Sequence, residues 1–207
     1  KRINELSEDH KQITELLKSK GIYWYPVYWK SGNSIADKLF SIFWSFIIGL
    51  KICFRHQPRL IHSRSSLTAF LAVLISKTFR KPLLYDADSL LSEEYADTNH
   101  LSKDSLGFKF LAWSEKAARR RASQIIVLTE KLKADYQTRF KIDKPIEVIP
   151  CCVNTENFRF NENHRADKRK ELGVTDELVF VYVGKHGSWY LVEETIDFFR
   201  IVLENNS

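Results

Sequence analysis

A chain of 207 residues with 44% apolar and 28% charged side chains has material for a folded core and too little compositional bias for a disordered or fibrous protein. Its net charge of +6, from 32 Lys and Arg against 26 Asp and Glu, gathers at Lys116 to Arg121 and Arg165 to Lys170. Such basic faces are plain solvated surface, or they meet nucleotide phosphates or an anionic membrane; no RNA- or DNA-reading motif accompanies them, so nucleic acid is not an expected partner. Cys53, Cys151 and Cys152 fit neither a disulfide framework nor a zinc site, and a reducing cytosol is the expected home.

The chain begins at Lys1-Arg2-Ile3-Asn4, contains no Met, and closes on Glu204-Asn205-Asn206-Ser207 directly after a helical pattern, so both ends are expected to be cuts. Ile13, Leu16 and Leu17 recur at helical spacing between Glu8 and Lys20, with Gly21 where a helix stops, and Ile22 to Tyr28 follows as an aromatic, β-branched strand. A helix over Ala36 to His56 leads through Pro58 into a short strand, Arg59 to Ser63. Next come a helix over Leu67 to Phe79 and a strand over Pro82 to Asp86. A loop from Ala87 to about Ser105 precedes a helix to Ala122, a strand Gln124 to Leu128, a helix Glu130 to Phe140 and a strand Ile146 to Ile149. Strands separated in this way need crossover connections, which predicts an α/β fold: a Rossmann-like parallel sheet with helices on both faces. Pro150 to His164 is polar and asparagine-rich and reads as a linker, after which Leu178 to Val183 and Glu193 to Leu203 supply one more strand and helix.

Between Lys38 and Phe54 the helix is apolar almost all the way round. A helix of that kind is either buried or in contact with lipid. Only Leu39 to Leu50 is free of charge, short of the roughly 20 residues that span a bilayer, so the readings are burial between sheet and helices or an interfacial position on the membrane.

In an open parallel sheet, ligands bind beyond the carboxyl ends of the strands, where loops and helix N-termini offer free N–H groups. Four segments qualify: Ile61 to Ser66, Tyr85 to Ser89, Leu128 to Glu130, and Val183 to Ser188. None is a Walker loop or a Gly-rich dinucleotide fingerprint. His62, Arg64 and Ser65, with Ser63 and Ser66, combine groups suited to sugar hydroxyls or phosphate. The structural alternative is that Ser65 or Ser66 caps the following helix and His62 is a hydrogen-bonded core residue. Asp86, Asp88, Glu93 and Glu94 place carboxylates after one strand, suited to binding sugar hydroxyls or to general-base work, or else to capping a helix or facing water. Two Asp at this spacing are no metal site by themselves. Gly184, Lys185, Gly187 and Ser188 offer close backbone approach and a cation for a diphosphate, or form a plain turn.

The run Ile146-Glu147-Val148-Ile149-Pro150-Cys151-Cys152-Val153-Asn154-Thr155-Glu156-Asn157-Phe158 resembles the interdomain signature of family 4 glycosyltransferases, Val-Ile-Pro-Asn-Gly-Val-Asp and then Phe. Cys151-Cys152 replaces Asn-Gly and Asn154 replaces Asp. Ala122 to Glu130 resembles the strand before that signature, Arg169-Lys170-Glu171-Leu172-Gly173 the helix opening the second domain, Val179 to Gly184 its first strand, and Gly187-Ser188-Trp189-Tyr190 the Gly-Thr-Trp-Tyr of a subgroup.

The resemblance implies a GT-B fold in which 1–150 is the acceptor-side Rossmann-like domain without its first strands, 151–164 the interdomain linker, and 165–207 the first βα unit of the nucleotide-sugar-binding domain. It implies transfer from a nucleotide-sugar donor to a saccharide or lipid-linked acceptor, with retention and without a metal or other cofactor, in cell-surface polysaccharide or glycoconjugate synthesis in the bacterial cytoplasm. Gly184, Lys185, Gly187 and Ser188 are then the donor-binding residues, while His62, Arg64, Ser65, Glu93 and Glu94 are the acceptor-side candidates. Asp86 and Asp88 are the catalytic candidates, standing where the family has a histidine. Trp189-Tyr190 stands where a second lysine is usual, and the family's acidic pair would lie beyond Ser207, so the chain by itself is expected to transfer no sugar. A non-catalytic Rossmann-like binding module and a sugar-nucleotide epimerase of the same architecture are the competing classes.

Overall fold

A computed structural model describes residues 7–27, 34–184 and 190–205. Two helices come first, α1 (Ser7–Ser19) and α2 (Ile35–His56), the second opened by Ser34, whose hydroxyl accepts from the Ala36 N–H. Then follow β1 (Ile61–Arg64), α3 (Ser66–Thr78), β2 (Leu83–Ala87), α4 (Leu91–Asp97), α5 (Leu106–Arg121), β3 (Gln124–Val127), α6 (Glu130–Thr138) and β4 (Ile146–Val148). The four strands are parallel and lie in chain order, β1-β2-β3-β4. This is the α/β, Rossmann-like parallel sheet that the alternation predicts.

The register sorts every side chain to one of two faces. Ser63, Tyr85, Ile125 and Ile146 stand in one row and Ala87, Val127 and Val148 in the next. With Leu83 they form the floor of the core, onto which Ala69, Ala72 and Val73 of α3, Ala118 of α5 and Tyr136 of α6 pack. Each large apolar side chain buried there contributes roughly 1.5–3 kcal/mol. The alternate row is Arg64, Asp86, Ile126 and Glu147, with His62, Leu84 and Gln124 below it.

Strands in sequential order joined by right-handed crossovers bring α3, α5 and α6 to a single face of the sheet. Helices on both faces, as expected, are therefore not found among the described residues: His62, Arg64, Gln124 and Glu147 of the alternate rows are exposed.

Helix α2 packs on α3 through a seam of small residues. Ser41 and Cys53 are buried, and a Cβ at Gly49 would lie 2.5 Å from Ile75 Cδ1. The opposite face is bare, with Leu39, Phe40, Phe43, Trp44 and Ile47 all exposed, so burial on every side is not realised. No helix among the described residues is long and apolar enough to cross a membrane.

Four further expectations are corrected. Residues 22–27 join no ladder, because their aromatic rings lie against helix ends: Trp24 on His10, and Tyr23 and Tyr25 on His56; Tyr28 is outside the described residues. The expected loop 87–105 contains α4. Helix α7 (Glu162–Leu172) starts inside the expected linker, where the Asn161 side chain accepts from the His164 N–H. Residues 178–183 also lack a ladder partner, although Phe180 packs edge-on against Phe198 and Phe199 of α8 (Val192–Asn205), as a strand packs on its crossover helix.

Candidate active site at the carboxyl edge of the sheet

At the carboxyl ends of β1 and β2 the register puts Arg64 level with Asp86 and His62 level with Leu84. Each basic residue leans toward the carboxylate two positions further along β2. His62 Nε2 lies 3.6 Å from Asp86 Oδ2, and Arg64 Nε lies 3.8 Å from Asp88 Oδ2. Asp86 is buried while His62 and Arg64 are exposed, so a carboxylate held in the sheet faces groups open to a ligand. The gap between His62 and Asp86 exceeds hydrogen-bond distance.

The serines settle the capping alternative. Ser65 is the residue before α3, yet its side chain makes no cap bond, and Ser66 directs its hydroxyl to Glu115 Oε1 at 2.8 Å. Neither caps the helix. Ser65 holds φ 70° and ψ 153°, a region that non-glycine residues occupy at a cost of order 1–3 kcal/mol. Its N–H donates to the Asp86 carbonyl at 3.2 Å, extending the β1–β2 pairing by one residue.

A hollow of about 320 Å³ adjoins these groups and is lined by Asp88, Ser89, Glu93, Glu94, Thr129 and Asp135, among others. It brings together the strand-end loops of β2 and β3. Glu93 is taken up by Arg139, the residue that follows α6, whose Nη1 donates to Glu93 Oε2 at 2.9 Å and whose Nη2 bonds the other oxygen. Glu94, the other predicted acceptor-side carboxylate, also lines the hollow. Thr129 caps α6 by accepting from the Leu132 N–H at 3.1 Å. Among the described residues, no three His, Cys, Asp or Glu side chains gather as a metal site would require.

Sequence reasoning missed the group that holds this edge in place. Glu115, 2% exposed on α5, accepts from Ser66 Oγ at 2.8 Å, from the Ser92 N–H at 3.0 Å and from Ser92 Oγ at 2.8 Å. Leu90, at the cap position of α4, has no side chain able to accept, so Glu115 supplies the missing cap from another helix. Arg119, 6% exposed, places Nη1 3.8 Å from Glu115 Oε2 and its guanidinium 4.0 Å from the Phe140 ring centre. Beneath lie the Tyr85 and Tyr136 phenols, whose oxygens are buried and meet no hydrogen-bond partner among the described residues. Burial pushes both phenols above the usual tyrosine range, Tyr85 far above it. A lone Glu within a basic helix was the available signal, Glu115 being the one acid of α5.

On the donor side only Gly184 of the predicted set is described; a Cβ there would meet the Tyr182 hydroxyl at 2.9 Å. Lys185, Gly187 and Ser188 lie outside the described residues. In the linker, Cys151 and Cys152 are exposed free thiols, and the Asn154 side chain accepts from the Glu156 N–H at 3.0 Å, forming a local turn.

The structure resembles that of Anabaena Alr3699/HepE in complex with UDP-glucose, with a TM-score of 0.58 and 17% identity over 89% of this chain and 46% of that one. A likeness at that identity shows the fold alone. The complex of Alr3699/HepE with UDP and glucose gives 0.48 at 16% identity, over 77% and 39%. The chain thus spans less than half the length of the solved structures it matches. No curated protein matches its sequence. The model of Glycosyltransferase Family 4 matches residues 23–157, the greater part of the chain, from the segment before α2 through the sheet to the linker turn. With the Rossmann-like sheet and its polar carboxyl edge, that match establishes that the chain belongs to glycosyltransferase family 4.

Proposed function

We propose that the protein carrying this chain transfers a sugar from a nucleotide-sugar donor to a saccharide or lipid-linked acceptor, with retention of configuration and without a metal, in cytoplasmic synthesis of a cell-surface polysaccharide or glycoconjugate. The observation that carries the reading is the exposed His62 backed by the buried Asp86 at the carboxyl edge of the sheet in a family 4 chain. An acceptor hydroxyl bound there is oriented by the imidazole, which stands 3.6 Å from Asp86 Oδ2 and takes up the hydroxyl proton as the new bond forms. Arg64 and Asp88 fix the rest of the acceptor. The new bond forms between the acceptor oxygen and the anomeric carbon as the bond from that carbon to the diphosphate breaks, the leaving group carrying the electron pair. Lys185, with the backbone at Gly184, Gly187 and Ser188, stabilises the departing charge. The bare apolar face of α2, from Lys38 to Phe54, is the surface on which a lipid-linked acceptor would be met.

UDP-sugars are the first donors to try, since Alr3699/HepE is seen with UDP-glucose. The test is donor consumption and transfer across UDP- and GDP-sugars without added metal, for the wild type, Lys185→Ala and Asp86→Asn. Loss of roughly 10²–10⁴-fold in turnover for Asp86→Asn, with donor binding retained, supports the reading. If no donor is bound or consumed by the wild type, the chain is a binding module instead.

A further inference from the structure

Helices α3 and α5 pack side by side, and their outer faces repeat one pattern. On α3, Leu67, Phe70, Leu74 and Lys77 recur at helical spacing; on α5, Lys109, Trp113, Lys116 and Arg120 do the same. Phe70 joins the two, its ring centre 5.4 Å from that of Phe110 and 5.6 Å from that of Trp113. Trp113 is nevertheless 52% exposed and Leu106 is 85% exposed. Beside Trp113 lies a groove of about 420 Å³ whose lining is Lys77, Trp113, Lys116, Ala117, Arg120 and Arg121. Arg121 is anchored there, donating to the carbonyls of Ser76 at 3.1 Å and Lys81 at 2.8 Å.

Charge decides what this face meets. Every charged side chain lining the groove is a cation. Helix α3 contains no acid, and the one acid of α5, Glu115, is buried in the network described above. Helix α7 of the same chain shows what a solvated basic helix looks like, because there Arg165 pairs with Glu162 and Lys168 with Glu171. The α3–α5 face has no such interspersed acids. Cations on flexible stems around a half-exposed tryptophan match an anionic headgroup layer, with the ring at the level of the lipid interface.

We propose that the α3–α5 face docks on the surface of an anionic bilayer, Trp113 entering the interface while Lys77, Lys109, Lys116 and Arg120 contact headgroup phosphates. The inference does not rest on the sugar-transfer reading. It is tested by cosedimentation of the full protein with vesicles of phosphatidylcholine alone and of an equimolar mixture with phosphatidylglycerol, at low and high salt. Binding is expected to the anionic vesicles only, to weaken with salt, and to fall roughly 25-fold in Lys116→Gln/Arg120→Gln, at about fivefold for each charge removed. Trp113→Ser weakens it further. Lys168→Gln/Lys170→Gln on α7 leaves it unchanged, and thermal melts of all variants show that they fold. No binding to anionic vesicles, equal binding to neutral ones, or an equal loss in the α7 variant overturns the proposal. So does self-association in sedimentation velocity that Lys116→Gln/Arg120→Gln abolishes, which would make the face an interface between copies. Transfer to a water-soluble acceptor is unaffected by these variants, so failure here and failure of the transferase reading are told apart.

Discussion

Replacing Glu115 by Ala removes the acceptor for three buried hydrogen bonds and leaves Arg119 buried with no carboxylate beside it. Bonds to a charged group are worth about 1.5–3 kcal/mol each, but they share one carboxylate and do not add. Breaking a buried pair by removing one partner costs about 3–5 kcal/mol, and Arg119 Nη1 already lacks a hydrogen bond. We therefore expect Glu115→Ala to destabilise the protein by about 4 kcal/mol, a large part of the roughly 5–15 kcal/mol typical of a domain. Glu115→Gln keeps an oxygen for Ser66 and Ser92 and should cost about half as much. Equilibrium urea unfolding followed by circular dichroism measures both. Hydrogen exchange adds a local readout, because the Ser92 N–H loses its acceptor and α4 its surrogate cap, so protection should fall first over Leu91–Asp97. In Glu115→Leu/Arg119→Met the apolar pair leaves no stranded charge, and the double variant should be more stable than Glu115→Ala. A cost below about 1 kcal/mol for Glu115→Ala, or a double variant no better than the single, refutes the reasoning.

Ser65→Gly relieves the positive φ at the end of β1 and is expected to raise stability by about 1 kcal/mol, read as a shift of the urea midpoint without a change of slope. Tyr85→Phe removes a buried oxygen that has no partner, so it should be neutral or stabilising by about 1 kcal/mol. Burial raises the folded-state pKa of Tyr85 and Tyr136, so between the unfolded and folded values the folded state holds the extra protons. Stability from these phenols is then fully present below about pH 10 and lost as pH rises past the unfolded value. Unfolding free energies measured from pH 8 to about 11 should fall in the wild type and flatten in Tyr85→Phe/Tyr136→Phe; an unchanged slope in the double variant would contradict the assignment.

The sheet was legible because β2 to β4 carry short apolar stretches, and all four strands are spaced by helices whose lengths leave only parallel crossovers. What the sequence hid was non-local. Helix α4 reads as loop because Leu-Ser-Glu-Glu-Tyr-Ala-Asp has no capping residue of its own, and its cap, Glu115, comes from another helix. Residues 22–27 have strand propensity, but their rings find better contacts on helix ends than any ladder offers. Periodicity marked α2 as apolar without telling what covers it; its Ser41–Gly49–Cys53 seam is packed while Leu39, Phe40, Phe43, Trp44 and Ile47 are exposed. In the site, His62, Arg64, Asp86 and Asp88 were nominated from strand ends. Which cation leans toward which carboxylate depends on the β1–β2 register, and Glu93 looked available because its clamp, Arg139, sits at the far end of α6 in the sequence, just past its last residue.

The strain at Ser65 and the bonds at Glu115 have one cause. Ser65 must keep its N–H on the Asp86 carbonyl to finish the β1–β2 pairing, while the next residue is already fixed at both polar ends: Ser66 Oγ on Glu115 and Ser66 O receiving the Ser114 hydroxyl at 2.8 Å. The backbone has a single residue in which to turn from strand to helix, and φ 70° is the result. This turn points the chain so that Arg64 and His62 stay at the open edge beside Asp88 and Asp86. If the bond to Glu115 imposes the turn, releasing it in Glu115→Ala lets Ser65 relax, and the gain from Ser65→Gly should shrink in that background. The two substitutions then couple by roughly 0.5–1 kcal/mol in a double-mutant cycle, whereas strict additivity would mean that the strain is held by the sheet alone.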